Sequence, residues 1–238
     1  RRIAAILDHA DALRSKRREA LTQLDELTQS IFIAMFEDQS AYPVAPLSDL
    51  ADVSSGLTKG RKLRGAATRE VPYMAVLNVQ DKALNLSTVK TIEATEAEIN
   101  RYRLQYEDLL LTEGGDPDKL GRGTLWRGEI AEAIHQNHIF RVRIHSENLN
   151  ATYLNWTIGS RTGKAYFLKS AKQTTGIASI NSTQLKSFPV PLPPIAQQKE
   201  FAEKTLRVEE AKTLHRAALS GLDSLFASLQ SRAFRGEL

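Results

Sequence analysis

Apolar residues recur at steps of three and four along the start of the chain: Ile3, Ile6, Ala10, Leu13, then Ala20, Leu24, Leu27, Ile31 and Ala34. That spacing predicts one long helix over residues 1 to about 36, with a heptad-like seam broken once by Arg17. It should end before the turn-rich EDQSAYPVAP. The pattern returns from Pro194 to about residue 234, with Phe201, Val208, Ala211, Ala218, Leu222, Leu225 and Leu229 on the seam. Pro194 suits a first helical turn, where its missing N–H is not needed, and Gly236 suits the stop.

The stretch between the helices has a different rhythm. VPYMAVLNV and HIFRVRI have the β-branched and aromatic character of strands. DLLLTEGG reads as a short apolar strand stopped by a Gly-Gly turn. TEAEINRYRL reads as a helix, and LNATYLNWTIGSRTGKAYFLKSA as a second, amphipathic one. SSGLTKGRKLRG, TEGGDPDKLGRG and KQTTGIASIN read as long polar loops. The expected fold class is α+β: one mixed domain over residues 39–192, flanked by long helices over 1–38 and 193–238.

The two long helices repeat each other. Shifted by 198 positions, Arg18 meets Arg216, Leu24-Asp25 meets Leu222-Asp223, Leu27 meets Leu225, and Phe36 meets Phe234; Arg17 meets His215. An ungapped register that matches Arg, Asp, Ser and Phe as well as Leu and Ala points to an internal repeat. Two such helices at the ends of a domain pair most simply as an antiparallel coiled coil. Arg17 and His215 then fall within or beside the seam, where polar residues fix register and partner choice. Arg17, Leu24, Leu27, His215, Leu222 and Leu225 are the expected pairing residues.

Charge sharpens the middle region more than the net value of +4 suggests. Asn148 to Lys199 contains no Asp or Glu, yet carries Arg161, Lys164, Lys169, Lys172, Lys186 and Lys199. A second acid-free window, Val53 to Arg69, carries Lys59, Arg61, Lys62, Arg64 and Arg69. Such surfaces suit a polyanion, because each cation can neutralise a phosphate and release a counterion. The chain has no cysteine, which excludes disulfide and thiolate chemistry. It shows neither a signal-peptide pattern nor a long apolar run, so a cytoplasmic protein without membrane contact is expected. It begins at Arg1 within a helical pattern, as expected of a piece of a longer protein.

Catalytic motifs are missing from the sequence. EGGDPDKLGRG lacks the Gly-Lys-Ser/Thr ending of a phosphate-binding loop and the third glycine of a dinucleotide fingerprint. His135 and His138 in HQNH stand three apart, but no third metal ligand is close in sequence. No metal or cofactor is expected. Lysine, arginine, amide and hydroxyl groups on glycine-bearing loops remain. Lys59, Arg61, Lys62, Lys119, Arg122 and Lys172 are candidates for phosphates. Thr58, His135, Gln136, Asn137, His138, Gln173, Thr174 and Thr175 are candidates for base edges or phosphates.

FPVPLPPIAQQKEFAEK and the repeated helices carry a resemblance to the specificity (S) subunit of Type I restriction–modification systems. The first is similar to the family's Pro-rich junction, with Gln197 where the family usually has Glu. LSDLADVSSGLTKGRK resembles the opening of a recognition domain, and YEDLLLTEGGDPDKLGRG, HQNHIFRV and KQTTGIASINSTQLKS its later blocks. The resemblance covers essentially the whole chain and suggests the carboxy-terminal half of an S subunit. It implies a non-catalytic protein that reads one half of a bipartite double-stranded DNA site. It also implies recruitment of methyltransferase (M) subunits and, through them, the restriction (R) subunit. The helices could pair with another half-subunit or a second copy. A stand-alone DNA-modifying enzyme and a coiled-coil adaptor that never touches DNA are the competing readings.

Overall fold

A computed structural model describes residues 2–36, 38–63, 65–116, 119–174 and 177–236. The chain opens with α1 (Arg2–Phe36). Then follow β1 (Val44–Pro46), β2 (Ala51–Ser55), β3 (Arg69–Met74), β4 (Val79–Gln80), β5 (Ala83–Leu84), β6 (Lys90–Ala94) and α2 (Glu96–Tyr102). Next come β7 (Leu109–Thr112), β8 (Gly114–Gly115), β9 (Gly123–Leu125), β10 (Ile134–His135) and β11 (Ile139–Ile144). The order closes with α3 (Ala151–Gly159), α4 (Arg161–Ser170), β12 (Lys172–Thr174), β13 (Ile177–Ser179), α5 (Ser182–Lys186), β14 (Pro189–Pro191) and α6 (Ile195–Phe234). Two compact units result, Arg1–Glu37 with Glu200–Leu238, and Asp38–Lys199.

The unit of residues 38–199 is a mixed α+β body. Its largest sheet is antiparallel, in the order β2-β11-β7-β9. A second sheet, β10-β3-β6, sets β10 parallel to β3 and β6 antiparallel to it. Leu57, Val71, Tyr73, Ile99 and Ile134 pack into one apolar cluster, and Met74, Val79, Leu110, Trp126 and Ile139 into another. Burial of these large side chains is the main force holding the sheets together. β1 pairs with β14, with Val44 opposite Pro191, so the entry and exit of the unit are joined.

Several elements differ from the sequence expectation, each for a local reason. VPYMAVLNV is not one strand. Buried Asn78 accepts the Ala75 N–H at 2.9 Å and donates to the Asn85 and Thr88 carbonyls, turning the chain between β3 and β4. The helical stretch over 149–171 is two helices. The Ser160 hydroxyl donates to the Thr157 carbonyl at 2.7 Å and accepts from the Gly163 N–H at 3.1 Å, ending α3 and capping α4. The Gly-Gly pair is no turn but β8, paired with β13. KQTTGIASIN is not a loop throughout, since β12 and β13 within it pair antiparallel.

The junction motif also has a structural use. Gln198 is fully buried. Its amide nitrogen donates to the carbonyls of Asn148 and Pro193, at 3.0 and 2.8 Å, and its oxygen accepts the Asn150 N–H at 2.9 Å. Three groups that burial would otherwise leave unpaired are satisfied by one side chain.

In the other unit, α1 and α6 run antiparallel, because Arg14 meets Asp223, Asp25 meets Lys212, and Phe36 meets Phe201. Residues turned inward on α1 follow the steps 10, 14, 21, 24, 28, 31, 35, and on α6 201, 205, 208, 212, 215, 219, 222, 226, 229. This is a heptad seam, but it is displaced from the apolar stripe expected on α1. Leu27 and Leu225 are 45% and 50% exposed and lie outside it, which corrects their assignment as pairing residues. Leu24 and Leu222 are half-buried on the seam. The displacement arises because Arg14, Thr28 and Lys212 occupy seam positions. Arg14 lays its guanidinium over the Phe226 ring at 4.3 Å and bonds Asp223 at 2.6 Å, so its stem packs while its charge is paired. Lys212 is buried and bonds Asp25 and Glu209 at 2.6 and 2.5 Å.

Candidate nucleic-acid interface

Backbone hydrogen bonds draw the polar sequence blocks together in relay. The Leu57 N–H donates to the His135 carbonyl at 2.8 Å, and the Asn137 N–H donates to the Leu57 carbonyl at 3.0 Å. The Glu113 N–H donates to the His138 carbonyl at 3.0 Å, and the Ile180 N–H to the Glu113 carbonyl at 2.9 Å. β13 continues the relay onto β8, with Ser179 opposite Gly114. Two glycines permit these close approaches. A Cβ on Gly56 would lie 1.9 Å from the His135 carbonyl oxygen, and one on Gly114 2.7 Å from that of Ala178. Segments 56–62, 135–138, 113–116, 119–122 and the paired strands β12 and β13 thus adjoin in one connected region.

Within that region the candidate residues divide. Thr58, Lys59 and Lys62 are exposed, and neither lysine has an ion pair among the described residues. Gln136 and Asn137 are half-exposed; His138 is exposed and its Nδ1 lies 2.7 Å from a Glu113 carboxylate oxygen. Lys119 bonds Asp116, and Arg122 donates to the Gln80 side chain at 3.4 Å. The side chains of Lys172, Gln173 and Thr174, and all of Thr175, lie outside the described residues.

Two assignments change. His135 is wholly buried, with Nδ1 donating to the Tyr102 carbonyl at 3.1 Å. It holds the end of α2 and does not reach a ligand, correcting its assignment as a reader. Burial pushes its imidazole down to about 4, because an imidazolium there would lose its hydration. Arg61 is engaged within the protein: its guanidinium clasps Glu98 at 2.5 and 2.7 Å and donates to the Glu93 carbonyl at 2.8 Å. The clasp holds the Glu98 carboxyl down at about 2. Arg61 therefore anchors the 58–62 turn; it is not a free phosphate ligand.

The structure adds residues that sequence patterns did not offer. The β4–β5 hairpin turns at Asp81-Lys82, with Lys82 at φ 58°. Lys82 donates to the Asn155 carbonyl at 2.9 Å and sits 5.5 Å from the Trp156 ring. Burial pushes its ammonium pKa down. Beside it, Lys164 reaches Asp81 at 4.0 Å, and Gln80 holds Arg122. Asp-Lys is a weak hairpin signal beside Asn-Gly or Asp-Gly, so the turn was not legible.

The profile of the type I restriction modification DNA specificity domain matches residues 40–220. The chain belongs to that family. Among relatives of this family, the type I restriction enzyme StySPI specificity subunit of Salmonella potsdam is 28% identical over 197 residues, covering 79% of this chain and 41% of the relative. The EcoKI specificity subunit of Escherichia coli (strain K12) is 28% identical over 200 residues, covering 80% and 42%. The chain thus spans about two fifths of the length of these specificity subunits. The crystal structure of the HsdS subunit from Thermoanaerobacter tengcongensis matches with a TM-score of 0.57 at 16% identity, covering 100% of this chain and 57% of that one. It shares the fold. Within the specificity family, this chain carries one recognition domain. No helix among the described residues is long and apolar enough to cross a membrane.

Proposed function

We propose that residues 39–192 read one half of a bipartite double-stranded DNA site, and that the helices over 1–38 and 193–238 hold this reader at a set distance from a second one. The reading fits a non-catalytic subunit working on DNA in the cytoplasm. The observation that carries it is the relay that joins four polar segments into one region, with Lys59 and Lys62 exposed on it. Lysines without carboxylate partners position a protein on phosphates, while Gln136 and Asn137 offer amides suited to adenine edges.

The test is DNA binding by the specificity subunit in complex with methyltransferase subunits, followed by fluorescence polarisation across a salt series. Lys59→Ala and Lys62→Ala are expected to weaken binding to all sequences alike, each lowering the salt slope by about one. Gln136→Ala or Asn137→Ala is expected to change sequence preference. Binding that ignores both salt and sequence would defeat the proposal.

The helix pair supports a second part of the reading, recruitment of M subunits and, through them, the R subunit. One flank of the pair is ionic, with Arg18 and Asp25 on α1 and Glu209 and Asp223 on α6. The opposite flank exposes Ile6, Leu13, Leu27 and Leu225. An exposed apolar stripe of this kind fits further amphipathic helices. Glu at both 27 and 225 is expected to weaken M-subunit binding at least about tenfold while leaving helix content unchanged, since neither side chain packs in the seam. Undiminished capture of M by that double variant would remove the flank from consideration.

A further inference from the structure

The ion pairs of the helix pair obey the internal repeat. A shift of 198 residues turns Arg14 into Lys212 and Asp25 into Asp223. The same shift therefore exchanges the Arg14–Asp223 pair with the Lys212–Asp25 pair, and both measure 2.6 Å. α1 and α6 are related by a local two-fold axis perpendicular to their length. One contact maps onto itself: Arg17 Nη1 lies 3.2 Å from His215 Nδ1, across a sequence separation of 198.

This geometry has a consequence for partner choice. An α1 paired with a second α1 would keep the ion pairs, Arg14 with Asp25 of the other copy. An α6 paired with a second α6 would keep them too, Lys212 with Asp223. The flanking charges therefore do not distinguish among the three possible pairings. The axis contact does. Between two α1 helices it would bring Arg17 against Arg17, two guanidiniums with no acceptor. Between α1 and α6 the guanidinium meets an imidazole nitrogen of His215, which can accept a charge-assisted hydrogen bond from it. Between two α6 helices two imidazoles meet and that bond is lost.

We infer that Arg17 and His215 are a polar selectivity determinant of the helix pair, beside the Phe226 and Phe201 contacts whose repeat counterparts are Thr28 and Ile3: they direct α1 to an α6, in the same chain or in a second copy, and disfavour a second α1. The partner that fits α1 is thus the second helix of this repeat. The inference does not depend on DNA reading, because it concerns only the helical unit.

The test uses the full chain in four forms: wild type, Arg17→His, His215→Arg, and the exchange carrying both. Hydrogen exchange of the amides flanking the axis reports pairing. His215→Arg is expected to speed exchange at least about tenfold, the doubly exchanged form to return within about threefold of wild type, and Arg17→His to stay within that range. Wild-type protection in His215→Arg, or no recovery in the exchanged form, would overturn the inference. Because the chain has no cysteine, a Leu21→Cys substitution beside the axis gives a separate readout. After refolding and oxidation, disulfide-linked dimers report α1 against α1. Their yield is expected to rise severalfold when Arg17→His is added; equal yields would sink the claim.

Discussion

Replacing Gly56 with Val is expected to destabilise the unit of residues 38–199 by about 3 kcal/mol and to abolish DNA binding, through overpacking against an unyielding neighbour. The obstacle is main chain on both sides. A Cβ at residue 56 would stand 1.9 Å from the His135 carbonyl oxygen and 2.7 Å from that of Gln136. Neither oxygen belongs to a side chain that can swing away. Relief requires separating the 56–62 segment from β10, breaking the Leu57 N–H bond to His135 and the Asn137 N–H bond to Leu57. Leu57 would then leave the cluster it shares with Val71 and Ile134. Urea denaturation and polarisation binding measure the two effects. A Gly56→Val chain with the wild-type midpoint and affinity would show that the relay is not needed.

Acid is expected to weaken the same unit before its carboxylates titrate. His135 is buried neutral, with its imidazole near 4, whereas a free imidazole titrates near 6.5. Below pH 6.5 the unfolded chain takes up a proton that the folded chain refuses. The contribution is therefore complete above pH 6.5 and is lost as pH falls toward about 4, about 3 kcal/mol in all. Glu98, held near 2 by Arg61, is a later loss: its contribution is present above the ordinary carboxylate range and disappears as pH drops toward 2. Urea denaturation from pH 7.5 to 4.5 separates the two. His135→Asn offers an N–H for the Tyr102 carbonyl but cannot titrate. It should be less stable than wild type at pH 7.5 and lose less on acidification. Parallel pH profiles for both chains would show that His135 is not the group responsible.

The two long helices were legible because their periodicity extends over 35 and 40 residues. The face they share was not. Arg14 and Lys212 read as polar positions, yet each extends an aliphatic stem into the seam and finds an aspartate on the other helix. A hydrophobicity pattern consequently picked Leu27 in place of Thr28, one residue out of phase. In the middle unit, the blocks were recognisable one by one, but their adjacency rests on backbone bonds between segments distant in sequence, such as Ile180 to Glu113. No side-chain pattern encodes those bonds. Arg61 and His135 show the same limit at single residues. A basic or imidazole side chain reads alike whether it faces solvent or, as here, clasps Glu98 or caps α2.

The mirrored ion pairs of the helical unit also amount to a pseudo-symmetry. Two helices that exchange Arg14–Asp223 for Lys212–Asp25 under one constant shift stand as two near-copies of one helix would. Identical copies would meet across a true two-fold axis, with the same residue on both sides at the centre. At Arg17 and His215 the two sides differ, so the pair has a direction where identical helices would be indifferent.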